Sequence, residues 1–351
     1  MQPLVNSYTS WQPLEEVIVG RAYDPDYFDF LDNAQVRNQL QQILFETAED
    51  LNNLQRTIES YGAVVRRPNL PPKQIFENNQ MNVDQGIPIP PLTPRDWQIT
   101  LGQKLLRMLS IPELDDVCDL YKDQVVNPHD NDQNLNDNQN FDENCTLNGA
   151  SASCIVRVGR DIFFDNSEFL KPEQSRWIVE NLLGPEYRIH EAVTDGHGDA
   201  VFAILKPGVI LSSKHDSNLD FGRDFPGWEV CKVWDSSIWA AMEVGKFKED
   251  NFNGRWYVQG QTPTEEFTKF VDEYLNKWTG FVSETVFDVN CLVLDESHVI
   301  FSAYNKPVFD FCKQHKIEPI ISELRHSYFW DGGVSCCTQD IRRRGGLETY
   351  L

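Results

Sequence analysis

The sequence predicts an α/β fold assembled from repeated ββαβ units that close on one another. Three observations carry this expectation. Short apolar runs recur in pairs separated by polar or Pro-Gly turns, as β-hairpins require. Several of these pairs are followed by an amphipathic helical stretch and then by one more strand-like run. Long single strands alternating with helices, the mark of a doubly wound sheet, are missing. Units of this kind leave a half-exposed sheet that neighbouring units must cover, so a closed ring explains the pattern best.

Taken in order, Glu16-Val17-Ile18-Val19 reads as the first strand. A helix from about Val36 to Tyr61 follows, its apolar face being Val36, Leu40, Ile43, Leu44, Leu51, Leu54 and Ile58 at the 3.6-residue period. It delivers the chain to the strand Ala63-Val64-Val65. Next come Ser153-Cys154-Ile155-Val156 paired with Asp161-Ile162-Phe163-Phe164, a helix from Gln174 to Leu183, and Tyr187-Arg188-Ile189-His190. Ala200-Val201-Phe202-Ala203-Ile204 pairs with Val209-Ile210-Leu211, and Cys291-Leu292-Val293-Leu294 with Val299-Ile300-Phe301. A helix from Pro307 to Lys316 then leads to Glu318-Pro319-Ile320-Ile321, so three or four units are visible. Two regions break the rhythm. Residues 127–144 are nearly all Asn, Asp and Gln, read as a mobile surface loop whose spacing matches no metal loop. Residues 234–280 form an aromatic-rich insertion expected to pack and to cover a cleft.

Composition excludes several classes of function. With 351 residues and a formal charge of -23, the chain is a poor match for polyanionic partners, whether nucleic acid or an anionic membrane. No apolar run approaches the roughly 20 residues that cross a bilayer. The opening residues Met1 to Asn6 carry neither a basic nor an apolar leader, which gives a cytoplasmic expectation. The eight cysteines lack CxxC spacing and read as reduced thiols; Asn144-Cys145-Thr146 is a glycosylation sequon in form only.

Four distant segments carry the chemistry. Cys336 follows Gly332-Gly333, whose glycines leave room above a thiol on a tight turn. A thiol becomes a useful nucleophile when a cation stabilises its thiolate. Cys337, its neighbour, reads as the structural one, because adjacent side chains in extended backbone face opposite sides. His197 lies between Asp195 and Asp199, with His197 and Asp199 on one side if the backbone is extended. Pro94-Arg95-Asp96 and Gly159-Arg160-Asp161 add carboxylates able to neutralise a planar cation bidentately. The Arg342-Arg343-Arg344 run, in acidic surroundings, reads as internal ion pairing. No close pair of Cys or His ligands suggests zinc, and neither a metal nor any other cofactor is expected. The set fits attack of the Cys336 thiolate on a guanidinium carbon, with His197 as acid and then base. An amine acceptor gives transfer; water gives hydrolysis of the deiminase type.

Beyond these residues, Ser7 to Arg21 with Trp11-Gln12-Pro13-Leu14-Glu15-Glu16-Val17-Ile18-Val19-Gly20-Arg21 resembles the opening of the glycine amidinotransferase family, within the guanidine-modifying enzyme superfamily. Val65-Arg66-Arg67-Pro68, the segment Asn290 to Glu296, and the ending Asp340 to Leu351 resemble family motifs too, so the likeness spans nearly the whole chain in order. It implies one catalytic domain over residues 1–351, a five-bladed α/β propeller of ββαβ modules around a central active-site hole, and a homodimer. It further implies Cys336 as nucleophile, His197 as general acid/base, Asp161 orienting that histidine, and Asp96 and Asp199, beside Arg95, at the guanidinium.

The departures bear on the donor. Arginine-using relatives place an arginine and a Ser-Ser pair near the substrate carboxylate, where this chain matches Asp216 and Ser283-Glu284. An acid there repels a carboxylate. Thr194 and Gly196 replace larger residues beside His197. Arginine remains the default donor, with a small amine as acceptor. A hydrolase acting on arginine or agmatine is the alternative, and a silent binding protein the outsider.

Overall fold

The structure is a computed structural model that describes residues 4–74, 86–109, 111–128, 147–167, 169–192, 197–213, 220–233, 256–258, 260–279 and 289–351. The strands among them form five three-stranded sheets. Every sheet has the same plan: a central strand with an antiparallel neighbour on one side and a parallel neighbour on the other. In the first, Leu14–Val19 lies between Thr338–Arg343 (antiparallel) and Val64–Arg66 (parallel). In the second, Lys104–Arg107 lies between Gln98–Leu101 and Val125–Val126. The third sets Asp161–Asp165 between Ile155–Val158 and Arg188–Ala192. The fourth sets Val209–Ser212 between Phe202–Lys206 and Glu229–Lys232. The fifth sets His298–Phe301 between Leu292–Asp295 and Glu318–Ile321.

The ββαβ plan is therefore present, but the expected five-bladed propeller around a central hole is corrected by the strand pairing. Among the described residues no sheet closes into a barrel or a propeller; the chain has an α/β fold of small mixed sheets. Strands of two to six residues, three to a sheet, are too few and too short to curl back on themselves.

The longest helix among the described residues, Ala34–Ser60, begins where the Asn33 side chain accepts hydrogen bonds from the Gln35 and Val36 amides. It stops at Gly62, whose φ of 89° takes the chain out of the helix. All seven of its expected apolar residues are buried. They pack against a second helix, Glu265–Tyr274, through Phe267, Phe270 and Val271 in one core cluster. Of the 234–280 insertion, residues 234–255, 259 and 280 lie outside the described residues, as do 129–144 of the polar stretch. Helices Pro172–Leu182 and Lys306–Gln314 lie within two residues of their expected bounds.

A buried ionic knot ties four of the sheets together. Arg157 of the third sheet donates both Nη2 hydrogen bonds to the Asp340 carboxylate (2.8 and 2.9 Å), and Arg343 Nε donates a third at 2.9 Å. Arg157 Nη1 also donates to the Thr100 carbonyl of the second sheet, and Arg343 Nη1 to the Val293 carbonyl of the fifth. Two arginines of the run thus make internal ion pairs, Arg343 with Asp340 and Arg342 with Glu15 and Glu16. The guanidiniums around Asp340 hold its carboxyl well below the usual carboxylate range, overcoming burial, which acts in the opposite sense.

Candidate active site

Cys336 sits in a turn that follows the short helix Ser327–Trp330. Trp330 anchors that helix: its Nε1 donates to Thr47 Oγ1 at 2.8 Å, and its ring stacks on Trp278 at 5.6 Å. The reversal itself falls on Asp331, with φ 49°, rather than on the glycines. Gly333 is required for a different reason. A Cβ there would lie 2.5 Å from Asn290 Oδ1 and 2.8 Å from Asn290 Cγ. Asn290, fully buried, occupies that space and brackets the cysteine. Its Oδ1 accepts from the Cys336 amide at 3.1 Å, and its Nδ2 donates to Cys336 Sγ at 3.0 Å. Cys337 faces the apolar core, in one cluster with Trp330 and Val334. Both cysteines lie in turn rather than extended backbone, so their opposite facing comes from the turn and not from strand pleating.

Three further segments converge here. His197 has extended backbone (φ -75°, ψ 127°) at the N-cap of the helical turn Gly198–Val201, so Asp199 lies in the helical turn and not in a continued strand; the His197 Nδ1 lies 3.9 Å from Asp96 Oδ1. Phe169 meets the imidazole edge-on, ring centroids 4.9 Å apart. Asp199, from the same turn, accepts from Ser335 Oγ at 2.9 Å, one residue before the cysteine. Arg95, on the turn Pro94–Trp97 with Asp96, points away from a substrate role: its Nε lies 3.8 Å from Asp199 Oδ2 and its Nη2 3.5 Å from Asp340 Oδ1. It links the ionic knot to the site. Asp96 Oδ1 and Asp199 Oδ1 are both buried and accept no hydrogen bond. Two acceptors of this kind match the N–H groups of a planar cation.

The electrostatics are those of a thiol that needs a cation. Burial, and then the charges of Asp199 and Asp96, push the Cys336 thiol well above its ordinary range, while the Asn290 amide acts to lower it. Burial and the Asp199 charge also raise the Asp96 carboxyl, against the pull of His197. A negative neighbour disfavours thiolate, so its removal lowers the thiol pKa and raises the thiolate fraction at a given pH. Asp199→Asn should accordingly make Cys336 react several-fold faster with neutral iodoacetamide near neutral pH, by roughly one pKa unit. Peptide mass mapping checks this; slower labelling would show that the assigned sign is wrong.

Of the residues named from sequence, Cys336, His197, Asp96, Asp199 and Arg95 come together. Asp161 does not join them. Its buried carboxylate is engaged by His190 Nε2 at 2.7 Å and by Arg188, both on the adjacent parallel strand. Asp96 is a carboxylate that lies beside the His197 imidazole. Thr194, Asp216, Ser283 and Glu284 lie outside the described residues. Asn290 and Ser335 were missed as site residues; the one signal was that Asn290 opens a run resembling a family motif. Among the described residues no group of His, Cys, Asp and Glu is arranged to hold a metal ion, and no helix is long and apolar enough to cross a membrane.

No family model matches the chain. Inosamine-phosphate amidinotransferase 1 of Streptomyces glaucescens is 22% identical over 395 residues, covering 99% of each chain. The mitochondrial glycine amidinotransferase of Xenopus laevis is 22% identical over 401 residues, covering 99% of this chain and 85% of that protein. Among solved structures, an inosamine-phosphate amidinotransferase from Streptomyces griseus superposes with a TM-score of 0.64 at 20% identity, over 99% of both chains. A dimethylarginine dimethylaminohydrolase superposes at 0.52 and 12% identity, over 93% of this chain and 99% of that one. Homologues and structural neighbours point to the amidinotransferase/guanidine-modifying enzyme superfamily, and the likeness to its enzymes supports catalytic activity.

Proposed function

We propose that this chain is an amidinotransferase, acting as a single catalytic domain, that moves an amidino group from a guanidine donor, arginine by default, to a small amine. The observation that carries the reading is the pair of buried carboxylate oxygens, Asp96 Oδ1 and Asp199 Oδ1, that accept no hydrogen bond and belong to groups whose charges act on the Cys336 thiol. A bound guanidinium would give both oxygens donors and bring a positive charge to the sulfur. That charge would lower the thiol pKa at the moment the nucleophile is needed. Substrate binding and thiol activation would be one event.

In this reading the Cys336 thiolate attacks the guanidinium carbon. The bond from that carbon to the donor's substituted nitrogen breaks, and His197 gives the departing amine a proton. An amidino-thioether remains on the cysteine. The acceptor amine then attacks the same carbon, His197 takes its proton, and the C–S bond breaks to return the thiolate. Asp96 holds His197 as well as the cation, the role expected of Asp161. Ser335 fixes Asp199 from the thiol's own turn.

Hydrolysis is the second reading, supported by the fold likeness to a dimethylarginine dimethylaminohydrolase. The test is a panel of arginine, agmatine and guanidinoacetate, each incubated with and without glycine, lysine and small diamines. Transfer predicts a new guanidine only when the amine is present. Ammonia or urea released at an equal rate without amine would overturn transfer in favour of hydrolysis.

A further inference from the structure

We propose that Asn290 is the positioning residue of the Cys336 thiol, an inference that rests on Cys336 being the reacting group. Three contacts join the asparagine to the thiol's turn. Its backbone carbonyl accepts from the Val334 amide at 3.2 Å, its Oδ1 from the Cys336 amide at 3.1 Å, and its Nδ2 donates to Sγ at 3.0 Å. The orientation of the amide is dictated by this pairing. The Cys336 amide can only donate, so it must meet the oxygen, which leaves the NH₂ group facing the sulfur. Asn290 is fully buried and comes from the segment just before the strand Leu292–Asp295, so it reaches the turn from a part of the chain distant in sequence.

Charge gives the contact its consequence. The groups acting on Cys336 are Asp199 from the turn Gly198–Val201, Asp96 from the turn Pro94–Trp97, and Cys337 beside it; His197 and Arg95 lie against those carboxylates. All three that act on the sulfur disfavour a thiolate. Among the described residues, Asn290 supplies the hydrogen-bond donor that the sulfur accepts from. A donor to an anion is worth more than one to a neutral atom, so the asparagine opposes the acids before any cation arrives. It also explains the second glycine: any side chain at Gly333 would occupy the place of the Asn290 amide.

The test is the pH dependence of iodoacetamide labelling at Cys336, read by peptide mass, for the wild type, Asn290→Ala, Asn290→Asp and Gly333→Ala. Circular dichroism and melting midpoints establish which variants fold, and turnover is measured separately. Asn290→Ala should move the labelling midpoint up by about one pH unit and slow labelling about tenfold at mildly alkaline pH. Asn290→Asp, nearly the same shape with an added negative charge, should move it further. Gly333→Ala should shift it in the same direction by displacing the amide. A folded Asn290→Ala with the wild-type midpoint overturns the proposal. Should that variant not fold, Asn290→Ser carries the same test, and a wild-type midpoint in it is equally decisive. Shifted midpoints with no turnover of any guanidine would sink the functional reading while leaving the positioning role in place. Turnover with unmoved midpoints would do the reverse.

Discussion

Replacing Cys336 with serine should lower turnover by at least about four orders of magnitude while leaving the fold close to intact. The expectation follows from what the site lacks as well as from what it holds. Asp96 and Asp199 can bind a cation, and His197 can move a proton, but neither supplies a nucleophile. A serine hydroxyl would occupy the same buried space and still accept from Asn290 Nδ2, so the cost in stability should stay within about 1.5 kcal/mol. The carboxylates that raise the thiol would raise a hydroxyl, far less acidic to begin with, beyond the reach of His197. Cys337→Ala makes the natural comparison, since its sulfur lies in the apolar cluster and its thiol is pushed up to about 12 by burial. Steady-state rates and denaturation midpoints on both variants check the pair. Residual Cys336→Ser activity within tenfold of the wild type would show that another group does the chemistry.

Loss of Asp340 should be the most damaging change to the fold. Arg157 and Arg343 are both almost wholly buried and both depend on that carboxylate, so Asp340→Asn leaves positive charges with no neutralising partner. Breaking such a buried arrangement costs about 3–5 kcal/mol, and here it also loosens the tie among four sheets. The effect has a pH signature. Asp340 has its folded pKa depressed well below 3.8, so its stabilisation is fully present above that unfolded value and is lost as pH falls toward the folded one. Wild-type stability should fall steeply below about pH 4, and Asp340→Asn should be less stable at neutral pH with a flatter acid limb. Urea titrations across that range measure both. An unchanged midpoint at neutral pH would mean that the knot does not hold the sheets.

What could be read from the sequence followed from periodicity. The seven apolar positions of the Ala34–Ser60 helix announce themselves because one face is apolar and the other is not, and three of the hairpins because short apolar runs flank a polar turn. The hairpin of Gln98–Leu101 with Lys104–Arg107 does not. Its first strand buries Gln98 and Thr100 along with Ile99 and Leu101, because Thr100 faces Asp340 and its arginines, so the strand offers no apolar run to see. The site shows the same division. Cys336, His197, Asp96 and Asp199 stand out by residue type. That Asp161 serves His190 and Arg188 follows from the register of two parallel strands, with Phe163 opposite His190, which composition does not reveal. The extended backbone expected for His197 and Asp199 is present at His197 and ends there, because Gly198 begins a helical turn; a Cβ on Gly198 would lie 3.1 Å from Val156.

The most direct test is intact-protein and peptide mass spectrometry after rapid mixing with arginine, agmatine or guanidinoacetate and acid quench, without any amine acceptor. A covalent amidino group on the Cys336 peptide, absent from Cys336→Ser and cleared when the productive amine is added, is the predicted result. Folded protein that binds these guanidines yet leaves the Cys336 peptide at its unmodified mass at every time point would contradict it.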